Sequence, residues 1–229
     1  MKNLFLVLIV AMMLPLAFVS CQTEDSSDVN QDKIYVVYEL FYNANTDKTV
    51  AICRLRFGGP TGTLLELTDP ANVTFNGDVL PYSVAYTGHA KEYAGKVESG
   101  TFIYTNVDGD VFTNTTPAMD TINHPVGFDT LDKTAAYTYT WVGNSLAANE
   151  RVNLFIGSWT WGQDALFSAT GTGSTDIVMG VTQMANLALG SSTVYVDRKN
   201  ETTISQGTSE GGLIRSVYRP LNIQITVVE

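Results

Sequence analysis

Gly207-Thr208-Ser209-Glu210-Gly211 has the G-x-S-x-G spacing of a nucleophile elbow, which would expose a serine for acyl transfer. That chemistry needs a strand before the motif, a helix after it, and a histidine later in the chain to take the serine proton. Both histidines, His89 and His124, lie upstream, and Pro220 interrupts the short remainder. Ser209 therefore reads as a loop serine, and no catalytic residue is assigned. Two distant histidines give no zinc spacing, and Asp108-Gly109-Asp110 lacks the ligand pattern of a calcium hand, so it reads as a hairpin turn. Gly58-Gly59-Pro60 and Gly171-Thr172-Gly173 open no helix, and no G-K-[ST] occurs. No metal or cofactor is expected. The 23 acidic residues could supply a carboxylate pair for hydrolysis, but sequence fixes no distance between two carboxyls. A small carboxylate-dependent hydrolase is kept only as an alternative.

The remaining candidates are aromatic. All three tryptophans fall between Trp141 and Trp161. Trp159 and Trp161 are two residues apart where the alternation of Val152, Leu154 and Ile156 ends, so both point to one side of a strand end. Such a pair covers one end of a core or, exposed at a hairpin, stacks on a sugar ring or anchors a protein partner. Trp141, alternating with Tyr137 and Tyr139, reads as core.

Strands must position these residues. The chain carries 28 threonines against 13 lysines and arginines, a bias toward strands. Residues 34–42 and 49–57 flank a polar turn, and Asn76-Gly77 separates Val73-Thr74-Phe75 from Val79-Leu80, a strong hairpin signal. Asp108-Gly109 does the same between Phe102-Ile103-Tyr104 and Val111-Phe112. Leu221, Ile223, Ile225 and Val227 alternate with polar residues, the period of a half-buried strand. One short helix is expected after Thr182, ending at Gly190. Many short strands with frequent turns predict an all-β chain of two tandem immunoglobulin-like antiparallel β-sandwiches. The segment between Thr115 and Lys133, with Pro117 and His124-Pro125, reads as an exposed joint. It divides the body into domains at residues 34–125 and 126–229; the alternative is one larger β-sandwich domain.

The N-terminus is more specific. Lys2 precedes an apolar run at residues 4–19, about 24 Å long as a helix and too short to stay in a membrane. It reads as a signal peptide over residues 1–20. Leu16-Ala17-Phe18-Val19-Ser20-Cys21 resembles the lipobox of bacterial lipoproteins, with Phe18 departing from the usual aliphatic residue. By that resemblance Cys21 becomes a lipidated (palmitate-bearing) N-terminus. Acidic residues 21–33 read as a flexible tether, and an acidic stretch behind that cysteine resembles the export signal of Bacteroidota-type surface lipoproteins. An acylated Cys21 cannot pair, so Cys53, on the apolar side of a strand, reads as a buried free thiol. Thr121 and Thr130, in Asp120-Thr121-Ile122 and Asp129-Thr130-Leu131, resemble O-glycosylation acceptors of the same group of bacteria. Asn72, Asn114 and Asn200 sit in N-x-[ST] patterns.

The chain as a whole resembles Bacteroidota-type lipoproteins with immunoglobulin-like modules. With the tether, the module sizes and the lack of catalytic spacing, the expectation is a non-enzymatic lipoprotein of the outer membrane, on the cell surface rather than the periplasmic face, presenting a binding or adhesion surface to a glycan or an envelope protein. A structural subunit of an envelope assembly is the other non-enzymatic alternative. A formal charge of −10 argues against nucleic acid as a partner.

Overall fold

A computed structural model describes residues 23–157 and 161–229; Cys21, the apolar leader and Trp159 lie outside the described residues. The strands are β1 (Thr23–Asp25), β2 (Ile34–Asn43), β3 (Lys48–Phe57), β4 (Thr63–Glu66), β5 (Asn72–Phe75), β6 (Asp78–Val79), β7 (Tyr82–Ser83), β8 (Gly88–Ala94) and β9 (Thr101–Thr105). There follow β10 (Val111–Thr115), β11 (Thr130–Asp132), β12 (Tyr137–Thr140), β13 (Glu150–Gly157), β14 (Asp164–Ala169), β15 (Asp176–Met179), β16 (Gly190–Thr203), β17 (Gly212–Arg219) and β18 (Ile223–Val228). A single turn of α-helix, α1 (Val181–Met184), joins β15 to β16, shorter than the expected segment and starting before Thr182. Among the described residues no helix is long and apolar enough to cross a membrane.

The chain is all-β, as its composition predicts. A 12-stranded sheet runs β1-β4-β3-β2-β17-β16-β13-β14, with β7, β8, β11 and β18 attached beside that path. A four-stranded sheet, β10-β9-β5-β6, and the pair β12-β15 face it. Most pairings are antiparallel, but β1 with β4, β11 with β18 and β2 with β17 are parallel. The β5–β6 hairpin closes through Asn76 (φ 51°) and Gly77 (φ 88°), the two positive φ values that a two-residue primed turn requires.

Each facing sheet encloses a core against the large one. In the first, Tyr38, Leu40 and Cys53 of β2 and β3 meet Phe75 and Phe102 of β5 and β9. In the second, Leu154 and Val196 of β13 and β16 meet Tyr139 and Met179 of β12 and β15, with Trp141 closing one side. Both are sandwiches sharing one sheet. β17 lies parallel to β2 from Gly212↔Val36 to Arg219↔Asn43 and sends Ile214 into the first core, so a cut at Pro125 does not coincide with a break in the sheet.

Two segments differ from their expected character. Residues 23–33 are docked, not free: Thr23 to Asp25 pair with Leu64 to Glu66, and Gln31 Nε2 donates to the carbonyls of Ser26 and Val29. Backbone pairing with β4 offsets the loss of chain freedom that acidic composition alone would favour. The segment expected as an exposed joint is likewise packed. It gives Met119 to the first core and Ile122, Phe128 and Leu131 to the second, because its apolar residues, although not alternating, outnumber what water would tolerate.

Candidate binding face

β16 is the spine of the molecule. Alternation along it sends Val194, Val196 and Arg198 inward and Tyr195, Asp197, Lys199 and Glu201 outward. Neighbouring strands extend the outward rows. Phe155 of β13 lies between Leu166 of β14 and Tyr195, Asn153 pairs across to Asp197, and Arg215 of β17 lies between Glu201 and Glu39 of β2. Val217 in turn lies between Lys199 and Phe41.

At the centre Arg219 donates from Nε to Asp197 Oδ1 at 2.7 Å and from Nη2 to Oδ2 at 2.6 Å. This two-bond geometry fixes the guanidinium plane. The hydrogen bonds to Asp197 raise the Arg219 pKa despite partial burial. Its guanidinium carbon lies 5.3 Å from the Phe41 ring centroid and 5.7 Å from that of Tyr195, within cation–π range. Beside it Arg215 Nε donates to Glu39 at 2.5 Å and Nη1 to Glu201 at 3.2 Å, and Lys199 reaches Glu201 at 3.0 Å. The Asn153 amide has no hydrogen-bond partner among the described residues.

Two hollows of about 310 Å³ each open on this face. One is walled by Phe155, Leu166 and Tyr195, the other by Phe41, Val217, Glu39 and Arg215, and both share Asn153, Asp197 and Arg219. Together they line one trough across β13, β16, β17 and β2 with both aromatic and polar side chains. Its residues are the ones an alternation argument assigns to solvent; the aromatic–acid order Tyr195-x-Asp197 against Phe155-x-Asn153 was the available signal.

Arg198 occupies the opposite face of β16, between the two cores. It is 2 % exposed and donates to both oxygens of Glu150, to the carbonyls of Asn144 and Ser145, and toward Asp120 at 3.2 Å. All three of its nitrogens are engaged in holding the fold.

The residues singled out from sequence do not converge on the trough. Trp161 is 99 % exposed in the β13–β14 hairpin, so it does not cover the core end. Thr121 and Thr130 present exposed side chains while the aliphatic residues after them, Ile122 and Leu131, are buried. Ser209 donates its hydroxyl to the Asp32 carbonyl at 2.7 Å on a strand–strand loop, without the strand-to-helix turn of an elbow. His89 Nε2 accepts from the Leu67 amide at 3.1 Å, which leaves Nδ1 to donate to the Leu80 carbonyl at 3.0 Å. His124 Nδ1 meets the Tyr139 hydroxyl at 2.8 Å, and burial pushes its imidazole down to about 4. Asn114 is buried, and its amide holds Ser205 and Gln206 through both ends, so this N-x-[ST] site has no free side chain. Cys53 is free and buried, with desolvation raising its thiol pKa. Among the described residues no group of three or more His, Cys, Asp or Glu side chains could hold a metal ion.

No family model matches the chain, and no curated protein matches it. Solved structures similar to it include part of a 1.5-MDa bacterial ice-binding adhesin studied for host cell surface retention, at 13 % identity and a TM-score of 0.24. That match covers 86 % of this chain, and the chain spans 66 % of the adhesin structure. Another is the pair of tandem V-type regions of a v-region-containing chitin-binding protein, at 8 % identity and a TM-score of 0.20, covering 81 % of this chain and 98 % of that one. Both likenesses are remote, and the fold rests on the chain's own topology.

Proposed function

We propose that this chain is a non-enzymatic lipoprotein of the cell envelope, held at the outer membrane by lipid on Cys21 and facing the cell exterior, where its outer sheet face serves as a binding or adhesion surface. The open trough at Asn153, Asp197 and Arg219 carries the binding half of this reading. It is a concave, mixed aromatic and polar face on a rigid sheet, the character of a recognition surface rather than of a solvated one.

The position of β1 supports the anchoring half. Thr23 is two residues beyond Cys21, a reach of about 7 Å, so a lipid there would hold the β1–β4 end close to the bilayer. β16 then runs from Thr203, level with that end, to Thr193 beside Gly157, roughly 33 Å away. The hairpin carrying Trp161 would stand at the membrane-distal end, with the trough along the side. Cys21→Ala tests the anchor: the protein should move from the membrane to the soluble fraction and lose palmitate labelling. Unchanged membrane retention would contradict it.

A structural role in an envelope assembly is the second reading. It is favoured by β14, which ends the large sheet with no strand on its far edge among the described residues and carries Leu166, 67 % exposed. Cross-linking from this edge to one fixed neighbour, without capture of a soluble ligand, would favour that role.

A further inference from the structure

We infer that the trough across β13, β16, β17 and β2 binds a neutral saccharide chain, with Asn153, Asp197 and Arg219 taking sugar hydroxyls and Tyr195, Phe155 and Phe41 carrying the C–H faces of the rings. This rests on the reading of the sheet face as a binding surface and assigns its ligand class.

Charge comes first. The three cations lining the trough, Lys199, Arg215 and Arg219, are matched by three carboxylates, Glu39, Asp197 and Glu201, each within ion-pair distance. Each cation lining the two hollows is already held by a carboxylate, so none stands free there for a phosphate or a uronic acid, while Arg54 near Glu39 and Arg151 beside Lys199 lie outside the lining; the acidic chain repels polyanions at longer range.

Hydrogen-bonding capacity comes second. Asp197 receives one bond at each oxygen and can accept more; Arg219 keeps its Nη1 donors; Asn153 has an amide without a hydrogen-bond partner among the described residues. A sugar hydroxyl is both donor and acceptor, so it can answer each of these groups. A purely apolar ligand would bury them unpaired, at a cost of about 1–3 kcal/mol each.

Backbone excludes a further class. β13, β16, β17 and β2 each have neighbours on both sides, so an extended peptide cannot add to the sheet here. Recognition must use side chains. Aromatic side chains flank the Asp197–Arg219 pair on both sides, Phe155 and Tyr195 in one hollow and Phe41 in the other, with Arg219 itself against the Phe41 and Tyr195 rings, so sugar rings can be placed on either side of it.

The test is titration calorimetry of the full mature chain in detergent with cellohexaose, mannohexaose and chitohexaose, and with polygalacturonate as the anionic comparator. At least one neutral hexasaccharide should bind, with little dependence on salt. Asn153→Ala, which breaks no side-chain hydrogen bond among the described residues, should weaken it about tenfold at unchanged melting temperature. Tyr195→Leu should weaken it at least as much, and Leu166→Lys at the exposed rim provides a variant that cannot disturb the core. Absence of binding to every neutral probe, binding of polygalacturonate alone, or wild-type affinity in Asn153→Ala, Tyr195→Leu and Leu166→Lys together would overturn the assignment. If a protein partner is still captured through this face when the sugars fail, only the ligand class falls. If the face captures neither, the binding reading falls with it.

Discussion

Asp197 and Arg198 are adjacent in the chain and carry opposite charges to opposite faces of one strand. Asp197 holds Arg219 in the open trough, whereas Arg198 is sealed against Glu150 between the two cores. The same chemistry therefore has different consequences on the two sides. Arg198→Ala would leave Glu150 charged and buried without its partner, and should cost about 3–5 kcal/mol. Arg219→Ala breaks a pair that water still reaches and should cost about 1 kcal/mol or less. Urea denaturation of both variants checks the contrast.

The tryptophans should separate in the same way. Trp161 is 99 % exposed and Trp141 is 4 % exposed, with its Nε1 donating to the Asn144 carbonyl at 3.1 Å. Thermal melts should place Trp161→Ala within about 0.5 kcal/mol of wild type. Trp141→Ala should lose about 3–5 kcal/mol. Equal losses would mean that the hairpin packs on the core after all.

Acid should loosen both sandwiches, the second through His124 and the first through His89. Burial pushes His124 down to about 4, and His89 is lowered by burial as well, whereas an unfolded imidazole titrates near about 6.5. Between those values the unfolded chain holds the extra proton, so stability is full above about pH 6.5 and falls as the pH drops toward about 4. The His124 gap bounds its share at about 3 kcal/mol. Urea midpoints measured across this range should fall with acidity, and His124→Asn should flatten part of the slope. A midpoint independent of pH would contradict the buried neutral imidazole.

Cys53 should be silent to reagents. It is fully buried among Tyr38, Phe75 and Phe102, and burial raises its thiol pKa. Ellman's reagent should react only as fast as the fold opens, and Cys53→Val should cost less than about 1.5 kcal/mol. Rapid labelling in native buffer would show that the first core is open.

Local pattern made part of this fold legible. Asn76-Gly77 announced its hairpin because the turn needs two positive φ values, and Ile225 and Val227 showed their buried side through a period of two. Partners distant in sequence left no such trace. Nothing near Gly212 or Val36 states that they lie side by side, and nothing near Thr23 states that Leu64 awaits it, so an acidic docked strand read as a tether. The trough was missed for a related reason. Tyr195, Asp197 and Asn153 sit at positions that alternation assigns to water, and only the register of β13, β16 and β17 brings them together. Ser209 and the histidines drew attention through motif spacing, yet their hydrogen bonds are taken up by loops and cores.

The central claim is a lipid-anchored body displayed outside the cell, and labelling intact cells with a membrane-impermeant amine reagent tests it most directly. Lys48, on the outer face of the large sheet, and Lys91, on β8 beside Asp78 of the facing sheet, both have half-exposed side chains. In intact cells both should be modified in the native protein, and Cys21→Ala should remove the labelled protein from the cells. Modification only after the outer membrane has been opened would place the body inside the envelope and contradict the account.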